Sequence, residues 1–228
     1  MIYTIMVNDA VKNTFPVLFG YVPLAVAFGV LFQELGYAWY FATLMAIFVY
    51  AGSAQFMAVG LLAAGAGLVE IAVATFLLNS RHLFYGLSML QKYGTWSLKK
   101  IYLIFGLTDE TYSLVATISP PKGIQQEKYY LMVTALSHSY WVVGCTLGAW
   151  IGASTQFNTQ GMEFALTALF VVLLIEQWKK IKEPLPFVIA IVSSAVALGL
   201  FAEQMLLVSI FLAIVLLAIN HLIRNKSS

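Results

Sequence analysis

Residues 35–69 read LGYAWYFATLMAIFVYAGSAQFMAVGLLAAGAGLV, thirty-five positions without one Asp, Glu, Lys or Arg. As a single α-helix this run would extend ~52 Å at 1.5 Å per residue. The hydrocarbon core of a bilayer is only ~30 Å thick, so the run must break or emerge. Two places invite it: the small and polar Ala51-Gly52-Ser53-Ala54-Gln55, and Gly65-Ala66-Gly67, which reads as the exit loop. The whole chain supports a membrane reading. It has 228 residues, 61% hydrophobic, with 12 Lys or Arg and 10 Asp or Glu. That 10% charged fraction compares with about 25% in soluble domains, too little to cover a water-facing surface. Disordered chains are charge-rich and apolar-poor, the opposite of this one.

With charges so scarce, their positions delimit the segments. Phe15–Gln33, Pro184–Phe201 and Gln204–Ile223 each fit one crossing, Tyr129–Gly152 fits one with tilt, and Phe164–Trp178 is shorter, with Glu163 and Glu176 at its ends. The next two hydrophobic segments resemble the opening one in being polar at the centre. Leu68–Leu90 carries Asn79-Ser80-Arg81-His82, and Ile101–Ile118 carries Thr108-Asp109-Glu110. Three consecutive segments interrupted near the middle are the signature of discontinuous helices around a midplane site. The expected fold is therefore an all-α polytopic transmembrane bundle of seven or eight membrane segments, several broken near the midplane, forming one domain over residues 1–228.

Basic clusters lie at Lys92/Lys99/Lys100, Lys179/Lys180/Lys182 and Arg224/Lys226, while Gly152–Gly161 has none. The positive-inside bias puts the last two clusters and the C-terminus in the cytoplasm and the 152–161 loop outside. The last two segments then form a hairpin turning at Glu203. Tyr129–Gly152 starts inside, near Lys122 and Lys128. Both flanks of Ile101–Ile118 also favour the inside, which a re-entrant or broken pair of half-helices would satisfy. Asp9 and Lys12 cancel, leaving the side of the N-terminus open. The opening residues lack the basic start of a cleavable signal.

A charge at the bilayer centre costs ~2.5–3.5 kcal/mol on insertion scales. Arg81 is therefore expected to pair with Asp109 or Glu110, leaving the other carboxylate and His82 for ion or proton work, since histidine titrates near neutral pH. The bland alternative is an ion pair that only sets packing. For Ser53 and Gln55, close helix approach through small residues weighs evenly against substrate contact. His138 reads as an interhelical hydrogen-bonder and Cys145 as a small core residue. Trp39, Tyr40, Trp96, Tyr102, Tyr129, Tyr130, Trp150 and Trp178 read as interfacial anchors near span ends. Enzymatic motifs are missing: no HExxH, no Cys/His metal cluster, no GxSxG and no GxxxxGK[ST]. A Ser–His pair such as Ser53 with His82 has no motif support. The sequence thus gives no metal, no cofactor and, with a net charge of +2, no nucleic-acid partner.

The chain resembles a known family. Tyr50-Ala51-Gly52-Ser53-Ala54-Gln55-Phe56, Gly60–Ala66, Leu78–Gly86 with its Asn79-Ser80-Arg81-His82, Leu107-Thr108-Asp109-Glu110-Thr111 and Gly161–Phe170 are similar to the AzlC-type large subunits of branched-chain amino acid exporters. The departures are mild: Met162-Glu163 stands where the family more often has Leu-Asp, and Ser80 where it often has Leu. The resemblance implies a secondary exporter of the bacterial plasma membrane for small neutral amino acids such as leucine, isoleucine, valine or methionine. It also implies a small hydrophobic AzlD-type partner subunit. In that reading Ser53, Gln55, Asn79, Arg81 and Tyr85 bind the substrate, and His82, Asp109 and Glu110 couple protons. Phe56, Leu83 and Tyr85 would select a branched side chain. An intramembrane enzyme or passive channel built on the same polar centre, or a scaffold for the partner, is the alternative.

Overall fold

A computed structural model describes residues 2–90, 92–93, 97–154, 171, 174–175, 178–179, 183–201 and 205–226. Most of the expected segment Phe164–Trp178, with Glu163 and Glu176, lies outside these residues, as do Trp96, Lys180, Lys182 and Glu203. Among the described residues the protein has ten α-helices and no strand: α1 (Ile2–Glu34), α2 (Trp39–Phe48), α3 (Gly52–Ala63), α4 (Leu68–Asn79), α5 (Arg81–Met89), α6 (Leu98–Phe105), α7 (Asp109–Thr117), α8 (Gln126–Ser154), α9 (Leu185–Leu200) and α10 (Met205–Lys226). They fall into two compact units, Met1–Gly65 with Leu78–Thr167, and Ala66–Leu77 with Ala168–Ser228.

The spine of the first unit is α1 against α8. A Cβ on Gly144 would stand 2.5 Å from the Ala25 Cβ, one on Gly148 would be 2.2 Å from the Val26 carbonyl oxygen, and one on Gly152 would be 3.2 Å from Gln33. From the other helix, a Cβ on Gly29 would be 2.3 Å from the Cys145 carbonyl oxygen. Contact positions rise together along both helices, so α1 and α8 run parallel, with glycines every fourth residue letting the backbones touch. Gly144, Gly148 and Gly29 therefore carry the packing that a side chain would abolish.

The three interruptions fall where the polar residues do. Between α2 and α3 the chain turns through Tyr50 at φ +43°. For a bulky residue this is a rare conformation, costing roughly 1–3 kcal/mol. Ser80 alone separates α4 from α5, and its helical angles (φ −54°, ψ −30°) make that interruption a one-residue defect rather than an unwound loop. Gly106-Leu107-Thr108 separate α6 from α7. Thr108 is extended and accepts from the Thr111 N–H at 3.2 Å, a side-chain N-cap of the kind that stabilises helix starts. Asp109 and Glu110 then occupy the first turn of α7, where the helix dipole favours negative charge. The helix Tyr3–Glu34 is long and apolar enough to cross a membrane alone, whereas Trp39–Phe48, Gly52–Ala63 and Leu68–Asn79 have only 10–17 residues, about half a crossing each.

The end of the unit nearest the start of α1 is closed by a core of Met6, Ala10, Met89, Tyr93, Leu103, Leu107, Val115, Tyr129, Tyr130 and Val133. Here the Lys92 ammonium donates to the carbonyls of Val115 and Ala116 at the end of α7, and the Lys100 ammonium to the Leu90 carbonyl at 3.3 Å. The start of α6 and the end of α7 thus both lie beside the end of α5. Tyr129 and Tyr130 are 0% and 1% exposed, so they are core residues and not the interfacial anchors their position suggested. They look like anchors in sequence because the segment end they mark is covered by α1, α5 and α7. Trp39, Tyr40, Trp150 and Trp178 are exposed. In the second unit α9 packs on α10 and buries Ser193 and Ala197. Phe48, Phe76, Phe84 and Leu200 each expose about two-thirds or more of their surface, and apolar faces of that extent suit lipid rather than water.

Candidate functional site

Ser53, Arg81 and Asp109 come from three different interruptions and meet. The Arg81 guanidinium is 2.9 Å from Asp109 Oδ2 through one terminal nitrogen and donates to Ser53 Oγ at 2.9 Å through the other. Tyr85, one turn into α5, donates to Asp109 Oδ1 at 2.7 Å. The Arg81 and Asp109 side chains are 25% and 29% exposed, so the pair is largely withdrawn from solvent. A charged hydrogen bond of this kind is about twice as strong as a neutral one. The expected pairing of Arg81 is thus with Asp109, and Glu110 is the carboxylate left over.

Glu110 is open to its surroundings and takes a hydrogen bond from the Tyr21 hydroxyl at 2.8 Å. That same hydroxyl lies 2.5 Å from Thr108 Oγ1, which donates onward to Thr111 Oγ1 at 3.1 Å. The His82 ring stands edge-on to Tyr85, with centroids 5.6 Å apart, and Tyr85 stacks on Tyr112 at 4.4 Å. Gln55 is fully buried. Its Oε1 accepts from the Trp141 indole N–H at 2.8 Å, and the Trp141 ring also lies against Gly52, where a Cβ would be 2.9 Å away. Gly52 is therefore there for close packing, while Ser53 and Gln55 are tied into the polar network.

Several polar atoms around this centre are buried with no hydrogen-bond partner in the chain: Gln55 Nε2, Asn79 Oδ1 and Arg81 Nε. Such atoms cost ~1–3 kcal/mol each when left unpaired, and they concentrate on the residues flanking the interruptions. His138 serves the interhelical role its position suggested. Its Nδ1 is 3.1 Å from the Tyr102 hydroxyl and its Nε2 is 3.2 Å from the Ala46 carbonyl oxygen. A carbonyl only accepts, so Nε2 carries the proton and Nδ1 accepts from Tyr102. Tyr102 is therefore a bridging residue, not an anchor.

The residues expected to select the side chain lie in different surroundings. Leu83 is 63% exposed, because it lies on the outer face of α5, two residues beyond the inward-facing Arg81. Phe56 is fully buried, edge-on to Phe28 at 5.7 Å, and is part of the core. Sequence reasoning missed Tyr21, Tyr50 and Trp141. Their signal was faint but present: aromatics with a polar tip in the middle of apolar segments, where that tip must find a partner.

Short apolar helices broken around a shielded ion pair, with exposed apolar faces outside, define an α-helical membrane protein with a polar centre. The chain belongs to the AzlC protein family, whose model it matches over residues 16–155. It is 36% identical to the branched-chain amino acid transport protein AzlC of Bacillus subtilis over 91% of this chain and 82% of that protein. It is also 36% identical to an uncharacterized membrane protein of Helicobacter pylori over 92% of both. With the inner membrane protein YgaZ of Escherichia coli it shares 29% identity over 85% of this chain and 82% of that one. No solved structure matches it.

Proposed function

We propose that this chain is the large subunit of a secondary-active exporter of branched-chain or similar small neutral amino acids, working in the bacterial plasma membrane. The observation that carries the reading is the Arg81–Asp109 pair held at the meeting of three interrupted helices, ringed by buried polar atoms without partners. The family membership and the printed name of the Bacillus subtilis relative supply the substrate class.

In this reading Ser53, Gln55, Asn79, Arg81 and Tyr85 form the substrate-binding wall. Arg81 acts by neutralising Asp109 and orienting Ser53. Glu110, free of the pair and reached by Tyr21, is the first candidate for carrying the coupling proton, with Asp109 and His82 beside it. Ser53 accepting from Arg81, and both nitrogens of His138 being engaged, suit anchoring rather than nucleophile activation. The parallel run of α1 and α8 supports an N-terminus on the side where α8 starts, which the positive-inside bias of Lys122 and Lys128 makes cytoplasmic in this reading. The C-terminus is cytoplasmic by the same bias. The whole chain acts as one transport domain, with a small AzlD-type membrane subunit as partner.

The test is leucine transport by purified chain in proteoliposomes, alone and with the small subunit encoded beside it. Saturable leucine flux, accelerated by unlabelled leucine on the opposite side, supports a carrier. Flux that never saturates and shows no counterflow contradicts it and indicates a channel.

A further inference from the structure

In the reading above an amino acid enters with a carboxylate that needs an anchor, and Arg81 is already committed: its two terminal nitrogens are held by Asp109 and Ser53. The inference drawn here rests on that reading. We propose that the substrate carboxylate is anchored at the N-terminus of α3, by the backbone N–H groups of Gly52, Ser53 and Ala54 together with Gln55 Nε2.

Three independent features meet there. First, the start of α3 is uncapped. Ala51 has no side chain able to accept, and the first intrahelical bond on this stretch is Gln55 N–H to the Ala51 carbonyl at 2.8 Å. The preceding N–H groups have no carbonyl within the helix. Residues 51 and 53–56 are buried, so water does not take the place of the cap. A buried, uncapped helix start of twelve residues with its positive dipole end unopposed is suited to an anion. Second, Gln55 is 0% exposed, and its carboxamide is oriented by Trp141. Because Oε1 accepts from the indole, the donor end is the one left over, and it has no partner in the chain. Trp141 also lies on Gly52, so the same ring holds the donor beside the helix start. Third, Tyr50 is 3% exposed and its left-handed backbone directs the chain into α3, with its ring packed on His138 at 4.2 Å and its hydroxyl beside Tyr21 and Thr111. The unpartnered side-chain group is the Gln55 amide N–H, and the backbone adds only donors, which is the complement of a carboxylate and not of an ammonium group. The Arg81 guanidinium next to Ser53 adds to the positive field.

Gln55→Glu keeps the acceptor for Trp141 and replaces the donor by negative charge at nearly the same volume. Gln55→Met removes the donor at similar volume without adding charge. Both are made in the full chain with any subunit that copurifies, and only monodisperse protein is used. Three probes separate the ends of the substrate: leucine, isocaproate (carboxylate but no ammonium) and isoamylamine (ammonium but no carboxylate). The expected result is a rise in leucine KM of about tenfold or more in both variants, the size of one lost hydrogen bond to a charged group, with kcat little changed. Isocaproate should compete with leucine in the parent protein and lose that competition in both variants, while isoamylamine competes as before in Gln55→Met. Leucine KM unchanged in both folded variants overturns the proposal. If the parent protein carries no leucine, the transport reading fails, and the anchor is then judged by thermal stabilisation alone. Isocaproate should still raise the melting temperature of the parent protein and not of Gln55→Glu, and no such difference overturns it.

Discussion

Replacing Arg81 by Gln removes the cation from the centre of the site and leaves the Asp109 carboxylate with Tyr85 as its remaining hydrogen bond. Breaking a fully buried ion pair costs ~3–5 kcal/mol, whereas an exposed pair is worth ~0–1 kcal/mol. With side chains 25% and 29% exposed the pair sits between these limits, and the expected cost of Arg81→Gln is about 2 kcal/mol. For a chain of 150–250 residues each kcal/mol shifts the melting temperature by roughly 2–4 °C, so a fall of about 4–8 °C is expected in detergent. Asp109→Asn should cost a comparable amount, because it leaves the guanidinium uncompensated. The double variant Arg81→Gln/Asp109→Asn has no stranded charge. It should recover to within about 1 kcal/mol of the parent protein, giving a coupling energy of about 3 kcal/mol, the upper end of the range for residues in contact. Fluorescence-detected size-exclusion after heating measures all four proteins. A double variant that loses the sum of the single losses would refute the pairing. Leucine flux in the same four proteins separates structure from transport: the double variant should be stable and inactive, and full activity in it would reduce the pair to a packing device.

Glu110→Gln should leave leucine binding in place and flatten the pH dependence of leucine flux in proteoliposomes, since it removes the carboxyl that Tyr21 reaches. A pH profile unchanged in Glu110→Gln, and in Asp109→Asn as well, would take the proton from these residues. Gly148→Val should abolish folded yield, because even a Cβ would lie 2.2 Å from the Val26 carbonyl oxygen and overpacking alone costs ~1–3 kcal/mol; Gly60→Ala, where a Cβ meets nothing within 4 Å, is the control. Trp141→Phe should destabilise by about 1–3 kcal/mol by stranding the Gln55 carboxamide, read as a lower melting temperature.

Charge scarcity made much of this legible in advance. Arg81, Asp109 and the Ser53-to-Gln55 stretch stand out in sequence because each is polar where its neighbours are not, and the chain breaks around all three. The fold class followed from the same contrast, since apolar runs too long for one crossing must break. What stayed hidden carries no charge. Tyr21, Tyr50 and Trp141 read as apolar bulk until their polar tips are seen to reach Glu110, the Tyr21–Thr111 cluster and Gln55. Tyr129 and Tyr130 were misplaced for a related reason: an aromatic at a segment end faces the interface only if no other helix covers it, and α1 does. The close contact at the glycines 144, 148 and 152 was not read from the sequence, because one chain does not say which helix comes to meet them. That the start of α3 is buried and uncapped depends on what packs over it, which no local pattern records.

The central claim is that amino acid passes through the centre marked by Arg81 and Asp109. Leucine counterflow across proteoliposomes holding the chain with any subunit that copurifies, loaded with unlabelled leucine and given labelled leucine outside, tests it most directly. The expected result is a transient accumulation of label that saturates with leucine concentration and disappears in the stable Arg81→Gln/Asp109→Asn protein. Accumulation no greater than in protein-free liposomes, or equal accumulation in that double variant, would contradict it.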